Sequence, residues 1–462
     1  MSDDAQQAAE RAAGPQPLWA LVPAPARARY LRRMAQAILE EAGDLANALA
    51  LEAGVPRTEA LLAELLPSVG GLHDLADEGP AALRDRRLGR AAVLRAGRRA
   101  VLFQAAAGVS GIRAGAASPW AEPVLEAGAA LLAGNGVVLA PHVEAVGRRL
   151  EAAAARSGLP DGLLQVVPPQ TPPAALRAAC DRVVDATAPP AKGTLLVLDE
   201  APLDRTVSGA LWAAFARAGQ GPASVGRAVV VPSAAGALLS RLEPAAQRLR
   251  VGDPRDPETE VGPLGSREQA DRVDALVREA VDAGAVLVCG GPLDVPGADG
   301  AFYAPTILRA VPPDARLLRE RVPGPVLAVV EARSEADAIE LARARPGGSG
   351  GAISVWTGDR AHGERVARAL AAELTWVNEH GFTSPAAPVR LARHTTSRQV
   401  ASQPVRLRSA RWLPYDPALV GASTTVAQLM HGRESERLAA LRRGAPALAR
   451  VAVRLAREAL AR

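Results

Sequence analysis

The residue types that most often do nucleophilic or metal chemistry are scarce in this chain. It has two cysteines, Cys180 and Cys289, and their number excludes a disulfide framework or a cysteine-based zinc cluster. The acidic Asp181 follows the first and the apolar run Val286–Val288 precedes the second, so we expect two small buried side chains. No metal site is predicted, because no ligand spacing occurs among the six histidines, His73, His142, His362, His380, His394 and His431.

A glycine-rich turn before an apolar strand is the next place where chemistry could occur. The turn reads Gly219-Gln220-Gly221-Pro222-Ala223-Ser224, and the strand follows over Ala228–Val231. Proline offers no thiol, no hydroxyl and no N–H. Ser224 carries the hydroxyl closest to it, but a serine nucleophile needs a base beside it, and the sequence pairs Ser224 with none. We therefore expect Ser224 to cap or to pack.

Length and composition indicate a globular protein of more than one domain. The chain has 462 residues, of which 48% are hydrophobic and 22% charged. No apolar run reaches the ~18 residues of a membrane span. The polar start Met1–Asp4 has no signal-peptide pattern, so a cytoplasmic location is expected.

The positive charge does not indicate a nucleic-acid-binding protein. The net charge of +5 comes from arginine, since Lys192 is the only lysine, and the basic residues are interspersed with acidic ones. No clustered basic patch and no aromatic platform accompany them. No nucleic-acid partner is therefore predicted.

The elements that would position these residues alternate between helix and buried strand. One helix ends on Gly134-Asn135, just before the fully apolar strand Val137–Leu139. A second helix end is followed by a strand over Leu163–Val167, and the alternation resumes after residue 200. This order predicts doubly wound parallel sheets.

Both ends of the chain are predicted to be helical. Residues 1–90 have helical periodicity and are followed by a hairpin over Val93–Phe103. The tail Leu429–Arg462 is predicted as helix broken at Gly432 and at Gly444–Pro446, with a basic amphipathic final part. Packing on the domain is the favoured role of that tail, and contact with a membrane surface or a partner is the alternative.

Several short patterns occur in an order that resembles one known family. They are Glu52-x-Gly54-x-Pro56, Pro119-Trp120, Gly134-Asn135, Gly219-Gln220, Gly262-Pro263, Phe302-x-x-Pro305, Gly324-Pro325 and Trp376-Val377-Asn378. Together they resemble the aldehyde dehydrogenases over residues 19–415. The resemblance implies an α/β fold with two doubly wound parallel α/β domains and a small β oligomerisation arm.

The resemblance also implies a division into domains. The expected parts are a degenerate Rossmann-like nucleotide-binding domain (1–92 and 108–191), an oligomerisation arm (93–107 and 400–415), a catalytic-type domain (192–399) and a helical C-terminal tail (416–462).

The catalytic positions that the resemblance implies carry the wrong residues. Aldehyde oxidation needs a thiolate, amide donors for the oxyanion and a carboxylate that activates water. At these positions the chain has Pro222 for the cysteine, Ala121 for the asparagine and Ala188 for the glutamate. The expectation is a chain without catalytic residues.

The positions that bind the dinucleotide in the family are substituted as well. Ala140 replaces a lysine at the adenosine ribose, Arg321 replaces a glutamate at the nicotinamide ribose, and Glu320 is displaced by one residue. Seven residues, 188–194, leave no room for the helix whose N-terminus anchors a pyrophosphate. His142 is expected to be a surface residue. The sequence therefore predicts no cofactor.

Three functions remain open from the sequence. The first is a catalytically inactive member of the family that works as a homodimer, or pairs with an active aldehyde dehydrogenase, through Val93–Phe103 and the segment Val405–Trp412. The second is an NAD(P)-dependent family enzyme, or one with altered chemistry, with Glu122, Arg321, His380 and Ser224 as candidate groups. The third is a ligand-binding or regulatory module.

Overall fold

The computed structural model describes residues 2–87, 99–187, 191–344, 351–370, 372, 374–381, 387–402 and 417–460. The α-helices are α1 Ser2–Ala13, α2 Gln16–Leu21, α3 Ala24–Glu40, α4 Ala42–Ala53, α5 Arg57–Glu59, α6 Leu66–Ala82, α7 Ala121–Ala133, α8 Glu144–Arg156, α9 Pro173–Ala179, α10 Leu203–Phe215, α11 Pro232–Gln247, α12 Arg267–Asp282, α13 Arg316–Arg319, α14 Glu335–Arg343, α15 Arg360–Ala369, α16 Ala387–His394, α17 Leu419–His431 and α18 Glu434–Leu460.

The strands are β1 Arg86–Arg87, β2 Arg99–Ala106, β3 Val109–Arg113, β4 Gly136–Ala140, β5 Leu164–Val166, β6 Arg182–Asp185, β7 Gly193–Val197, β8 Val225–Val230, β9 Val286–Leu293, β10 Phe302–Arg309, β11 Val326–Glu331, β12 Ile353–Trp356, β13 Thr375–Val377 and β14 Thr395–Ser402. The chain divides into two compact units, Met1–Ala82 with Ala106–Thr395, and Leu83–Ala105 with Thr396–Arg462.

The first unit contains a seven-stranded sheet in the order β13-β12-β7-β8-β11-β10-β9. All paired neighbours are parallel except β9 and β10. The residues of β7 and β12 are all buried, which fits strands covered by helices on both faces. The segment Gly219–Ser224 lies directly before β8, at the amino-terminal end of this central strand.

A four-stranded parallel sheet, β5-β4-β3-β6, forms the other layer of the same unit. Every residue of β4 is buried, and α7, which leads into it, buries all of its residues except Glu122. Gly134 ends α7 with φ of 97°, a left-handed conformation that glycine adopts without a steric penalty. The predicted helix, Gly-Asn end and strand are confirmed here, as is the α/β class with parallel sheets.

An arginine fastens the N-terminal helices to α7. Arg27, on α3, is 6% exposed, and its Nε donates to the Leu132 carbonyl oxygen at 2.8 Å. Its Nη1 donates to the Val22 oxygen at 2.6 Å. A guanidinium at the carboxyl ends of two helices satisfies carbonyl groups that have no partner within the helix. Burial lowers the pKa of Arg27 to about 10.

The second unit contains a three-stranded sheet, β1-β2-β14, and a helical hairpin of α17 and α18. In the sheet, β1 and β2 are antiparallel, and Gln104 Nε2 donates to Ser397 Oγ at 2.9 Å. The predicted hairpin Val93–Phe103 lies partly outside the described residues, and the segment Val405–Trp412 lies wholly outside them.

The predicted break at Gly444–Pro446 is wrong, because α18 continues through it. The break at Gly432 is confirmed, since α17 ends at His431 and α18 begins at Glu434. Gly444 lies against Thr425 of α17 so closely that a Cβ there would overlap its side chain. The glycine therefore allows close packing of the hairpin, and that packing outweighs the hydrogen bond that Pro446 cannot make.

The helical prediction for residues 1–90 is confirmed up to Ala82, where α6 ends. On α3, the apolar Leu31, Met34 and Ile38 are buried. In the described part of the chain no helix has the length and apolarity to cross a membrane.

Candidate functional site

A tight turn between α10 and β8 forms the centre of the candidate site. After α10 a 3₁₀ turn runs over Ala216–Gly219, in which Arg217, Ala218 and Gly219 have φ values of 57°, 48° and 67°. Gly219 lies so close to the Gly324 carbonyl that any side chain would collide with it. This geometry leaves Pro222 exposed just before β8 begins.

Gln220 holds the turn in shape. Its side-chain Nε2 donates to the carbonyl oxygens of Arg217 at 3.0 Å and Pro263 at 3.2 Å. Its Oε1 accepts from Gly265 N at 3.2 Å and from Gln269 Nε2 at 2.8 Å. One amide side chain therefore connects the turn to two other segments, and its four bonds use both of its donors and both of its acceptor sites.

Two further side chains bind the backbone of the turn from outside. Arg321 Nη2 donates to the Gln220 oxygen at 3.1 Å, and His380 Nε2 donates to the Ala223 oxygen at 3.1 Å. The other nitrogen of His380, Nδ1, accepts from Ser354 Oγ at 3.2 Å. Burial lowers the pKa of His380 to about 4, although its bond to Ala223 and the charge of Glu379 raise it. His380 is therefore neutral at physiological pH.

These bonds separate the candidate groups of the altered-chemistry alternative. Ser224 is 6% exposed, and the bonds of His380 go to Ala223 and Ser354 rather than to the Ser224 hydroxyl. Arg321 and His380 bond to carbonyl oxygens of the same turn, so the structure brings these two together. Among the described residues, none bonded to the Ser224 hydroxyl could act as the base that a serine nucleophile needs.

The other half of the site is the N-terminus of α7, where Ala121 is the first residue. Its backbone N donates to Glu64 Oε2 at 2.7 Å, and Trp120 N donates to the same oxygen at 3.1 Å. Ser118 Oγ adds a third bond at 3.1 Å. Glu64 thus caps the helix, and the N–H groups there are already bonded. Burial raises the pKa of Glu64, against the charge of Arg217 and these hydrogen bonds.

Glu64 reaches this position through a π-helical segment that the sequence analysis missed. The chain runs from α5 into a π-helix over Ala60–Leu65 before α6 begins. A second buried acid, Glu59, precedes it, and burial raises the pKa of Glu59 to about 7 against the charge of Arg217. π-Helical turns are rare and often occur near functional sites. In the sequence, the signal that could have pointed to these two buried acids was the spacing between Glu59 and Glu64.

Glu122, the remaining candidate, belongs to a buried ion network. Arg390 Nη2 lies 2.8 Å from Glu122 Oε2, and Arg390 Nη1 also contacts Glu126. Glu126 is fully buried and accepts from His394 Nε2 at 2.8 Å and from Arg393 Nη1 at 2.9 Å. The network joins α7 to α16. The carboxylate of Glu122 is therefore engaged in ion pairs with arginines of α16.

Parallel sheets of this kind bind nucleotides at the carboxyl ends of their strands. In this chain, protein groups contact each other at the carboxyl end of β4. Ala140, the last residue of β4, is fully buried. Glu52 Oε2 accepts from Ala145 N at 3.3 Å in the first turn of α8. His142 is exposed, as expected. A carboxylate therefore occupies the helix N-terminus that follows β4.

The connection from β6 to β7 is short. Seven residues, 186–192, separate the two strands, and the described ones, 186–187 and 191–192, are not helical. Arg113 Nη1 lies 3.7 Å from Asp185 Oδ1 and donates to Thr187 Oγ1 at 3.1 Å. Ala188, the predicted position of the missing base, lies outside the described residues.

Lys192 enters the site where this connection meets β7. Its Nζ donates to the Gly324 oxygen at 2.6 Å. Burial, and after it the charge of Arg321, lowers the pKa of Lys192 to about 7. In the sequence, Lys192 was notable only as the single lysine of the chain.

Both cysteines lie away from the turn and are buried, at 9% exposure each. Burial, with the charge of Asp181, raises the pKa of the Cys180 thiol to about 11. Burial also raises the pKa of Cys289, against a backbone hydrogen bond from Ile307. A thiol kept protonated is a poor nucleophile. Neither cysteine is therefore a candidate nucleophile.

The sequence was compared with known families and curated proteins. It matches the aldehyde dehydrogenase family over residues 1–188 and 186–390. It is 31% identical over 395 residues to a succinate-semialdehyde dehydrogenase (NADP+) of Deinococcus radiodurans, across 78% of this chain and 79% of that protein. Identity to a betaine aldehyde dehydrogenase of Cereibacter sphaeroides is 37% over 197 residues, across 43% of this chain and 40% of that protein.

The fold is also similar to that of a solved aldehyde dehydrogenase. An NAD+ complex of an aldehyde dehydrogenase from Bacillus cereus superposes with a TM-score of 0.78 at 23% identity, across 87% of this chain and 89% of that one. This likeness shows a shared fold. With the family match over most of the chain, it follows that the protein belongs to the aldehyde dehydrogenase family.

Proposed function

We propose that this chain is a member of the aldehyde dehydrogenase family that has lost the dehydrogenase reaction and acts through association with other chains. The observation that carries the proposal is Pro222, exposed in a turn that Gln220, Arg321 and His380 hold in place. The turn retains its architecture without a group that can attack a carbonyl carbon.

The substitution removes more than the thiol. A proline has no backbone N–H, so Pro222 provides neither a nucleophile nor an oxyanion donor from its own backbone. Ala121 has no side-chain amide, and its backbone N is bonded to Glu64. Each missing donor costs about 2.7–4 kcal/mol of transition-state stabilisation. Loss of the nucleophile alone costs on the order of a millionfold in turnover in another covalent enzyme.

The residues at the dinucleotide site do not fit an NAD(P) cofactor. Ala140 has no group that could bind the ribose, and Arg321 brings a cation to the position of an acid. The connection after β6 has seven residues, and its described residues contain no helix N-terminus for a pyrophosphate, which is the usual anchor. No step of a mechanism is therefore assigned to a dinucleotide.

The alternative function is an NAD(P)-dependent aldehyde dehydrogenase, or a related enzyme with altered chemistry. Family membership favours it, because the curated relatives that match are named as dehydrogenases. The contacts of the candidate groups disfavour it. Glu122 is paired with Arg390, His380 binds Ala223 and Ser354, and Ser224 has no base beside it.

Binding and turnover measurements separate the two functions. Titration calorimetry with NAD and NADP, and an absorbance assay with a panel of aldehydes, should give neither binding nor turnover. The variant Pro222→Cys serves as a matched control for the missing thiol, and it should remain inactive because the donor and the base are also absent. Saturable binding together with turnover by the natural chain would refute the proposal.

The proposed association is with a second copy or with an active member of the family, in the cytoplasm. We propose that the chains associate through the arm, residues 93–107 and 400–415. The other domain boundaries given in the sequence analysis also remain proposals. Light scattering of the purified chain, and co-purification with a tagged copy, should give a dimer or a mixed oligomer. A monomer at all concentrations, with no bound chain, would contradict this part.

A further inference from the structure

A small cavity lies at the amino-terminal ends of β7, β8 and β12. Its volume is about 40 Å³. A cavity needs roughly 10–15 Å³ for each water, so this one admits a group of only a few non-hydrogen atoms. Four of the residues that line it carry the argument: Lys192, Arg227, Glu320 and Arg321.

Lys192 is the one amine side chain in the sequence, and its stem is held in this cavity. A Cβ on Gly226 would lie 3.0 Å from Lys192 Cδ, so the glycine gives the stem its room. At the end of the stem, Nζ donates to the Gly324 oxygen. The amine is thus fixed in position instead of extending into water, unlike an ordinary surface lysine.

We propose that Lys192 captures short aldehydes that carry an anionic group, as an imine formed at Nζ. The amine adds to the carbonyl carbon and gives a carbinolamine. The two amine hydrogens then leave with the former carbonyl oxygen as water, and a C=N bond remains. No oxidant, thiol or dinucleotide takes part, so the inference does not depend on the proposed loss of dehydrogenase activity.

The surroundings suit this reaction. Burial and the charge of Arg321 lower the pKa of Lys192 to about 7, so about half of the amine is neutral and nucleophilic at neutral pH. An ordinary lysine, with a pKa of about 10.4, would be neutral about a thousandfold less often. Once the imine nitrogen takes up a proton from water, it can donate a hydrogen bond to the Gly324 oxygen, which already accepts from Nζ.

The charges on the walls select the class of aldehyde. Arg227 and Arg321 face one acid, Glu320, whose pKa is lowered chiefly by its hydrogen bond to Arg316. Among the described residues that line the cavity, cationic side chains therefore outnumber anionic ones. They attract an aldehyde that carries a carboxylate more strongly than an uncharged aldehyde of similar size.

Reductive trapping tests the proposal on the full-length chain. The protein is incubated at neutral pH with glyoxylate or with propionaldehyde and cyanoborohydride, and the alkylated amines are located by peptide mass mapping. The N-terminal amine of the same molecule is the internal reference for intrinsic reactivity. Lys192→Arg is the matched control, since it keeps a cation that can bond to the Gly324 oxygen.

The expected result is saturable alkylation of Lys192 in the natural chain, half-maximal in rate near pH 7. The ratio of Lys192 to N-terminal labelling should be several-fold higher for glyoxylate than for propionaldehyde. Labelling of the N-terminus alone, or labelling of Lys192 that rises linearly without saturation, would overturn imine capture. Equal ratios for the two aldehydes would overturn the preference for an anion. Mapping on the natural chain remains decisive even if the variant does not fold.

Discussion

Replacement of Arg390 by methionine tests whether Glu122 and Glu126 belong to the architecture of the fold. Arg390 is 2% exposed and binds both carboxylates, and Glu126 has no exposed surface. Breaking a buried ion pair costs about 3–5 kcal/mol, because a buried charge loses its compensation. Glu126 retains Arg393 and His394, so we expect the lower end, about 3 kcal/mol.

The loss should be visible in equilibrium unfolding by urea, followed by circular dichroism and tryptophan fluorescence. At about 2 °C per kcal/mol for a unit of this size, the melting temperature should fall by about 6 °C. Arg393→Met is the matched control, because Arg393 binds the same carboxylate from a side chain that is 42% exposed. A partly exposed pair contributes about 1 kcal/mol or less.

The acid limb of the stability curve gives a second readout. Burial raises the pKa of Glu126, but the His394 hydrogen bond and the charges of Arg390, His394 and Arg393 lower it overall. A carboxyl with a depressed folded pKa stabilises the fold above its unfolded pKa, and this is lost as the pH falls through the folded pKa. Arg390→Met should weaken that dependence. Equal losses in the two variants, or a change below 1 kcal/mol in Arg390→Met, would refute the reasoning.

Three further predictions concern other buried groups. Ionisation of Glu59 opposes folding increasingly from its unfolded pKa up to about 7, so Glu59→Gln should raise the free energy of unfolding by about 3 kcal/mol at pH 8 and little at pH 5 in urea titrations. Gly444→Ala should force Thr425 away and expose the α17–α18 hairpin to limited proteolysis. Cys180 and Cys289 should resist a thiol reagent at pH 8 in the folded chain and react after unfolding.

The sequence predicted the parallel-sheet architecture because its signals are local. A strand such as β4 is apolar throughout, and the glycine that ends α7 must adopt a left-handed conformation. The order of such elements along the chain then limits the fold to a few topologies. The break at Gly444–Pro446 was mispredicted for the opposite reason. Packing against Thr425 of α17, which the residues around Gly444 do not encode, decides the conformation there.

The sequence indicated which positions of the candidate site to consider, but it did not indicate their contacts. Pro222 and Ala121 follow from alignment to flanking motifs, but the partners of Glu122 lie more than 260 residues away in α16. The low pKa of Lys192 depends on burial beside Arg321, which no local pattern encodes. Long-range ion pairs and burial are products of tertiary structure, so sequence spacing cannot supply them.

The left-handed turn ahead of Pro222 has an energetic consequence. Arg217 and Ala218 both hold positive φ values without being glycine, and each such residue costs roughly 1–2 kcal/mol. A reactive side chain presented on a sharp bend would justify that cost, but here the bend presents a ring of methylene groups. The turn therefore stores backbone strain that positions no reactive group. The substitution Ala218→Gly should relieve part of this strain and make the folded protein more stable.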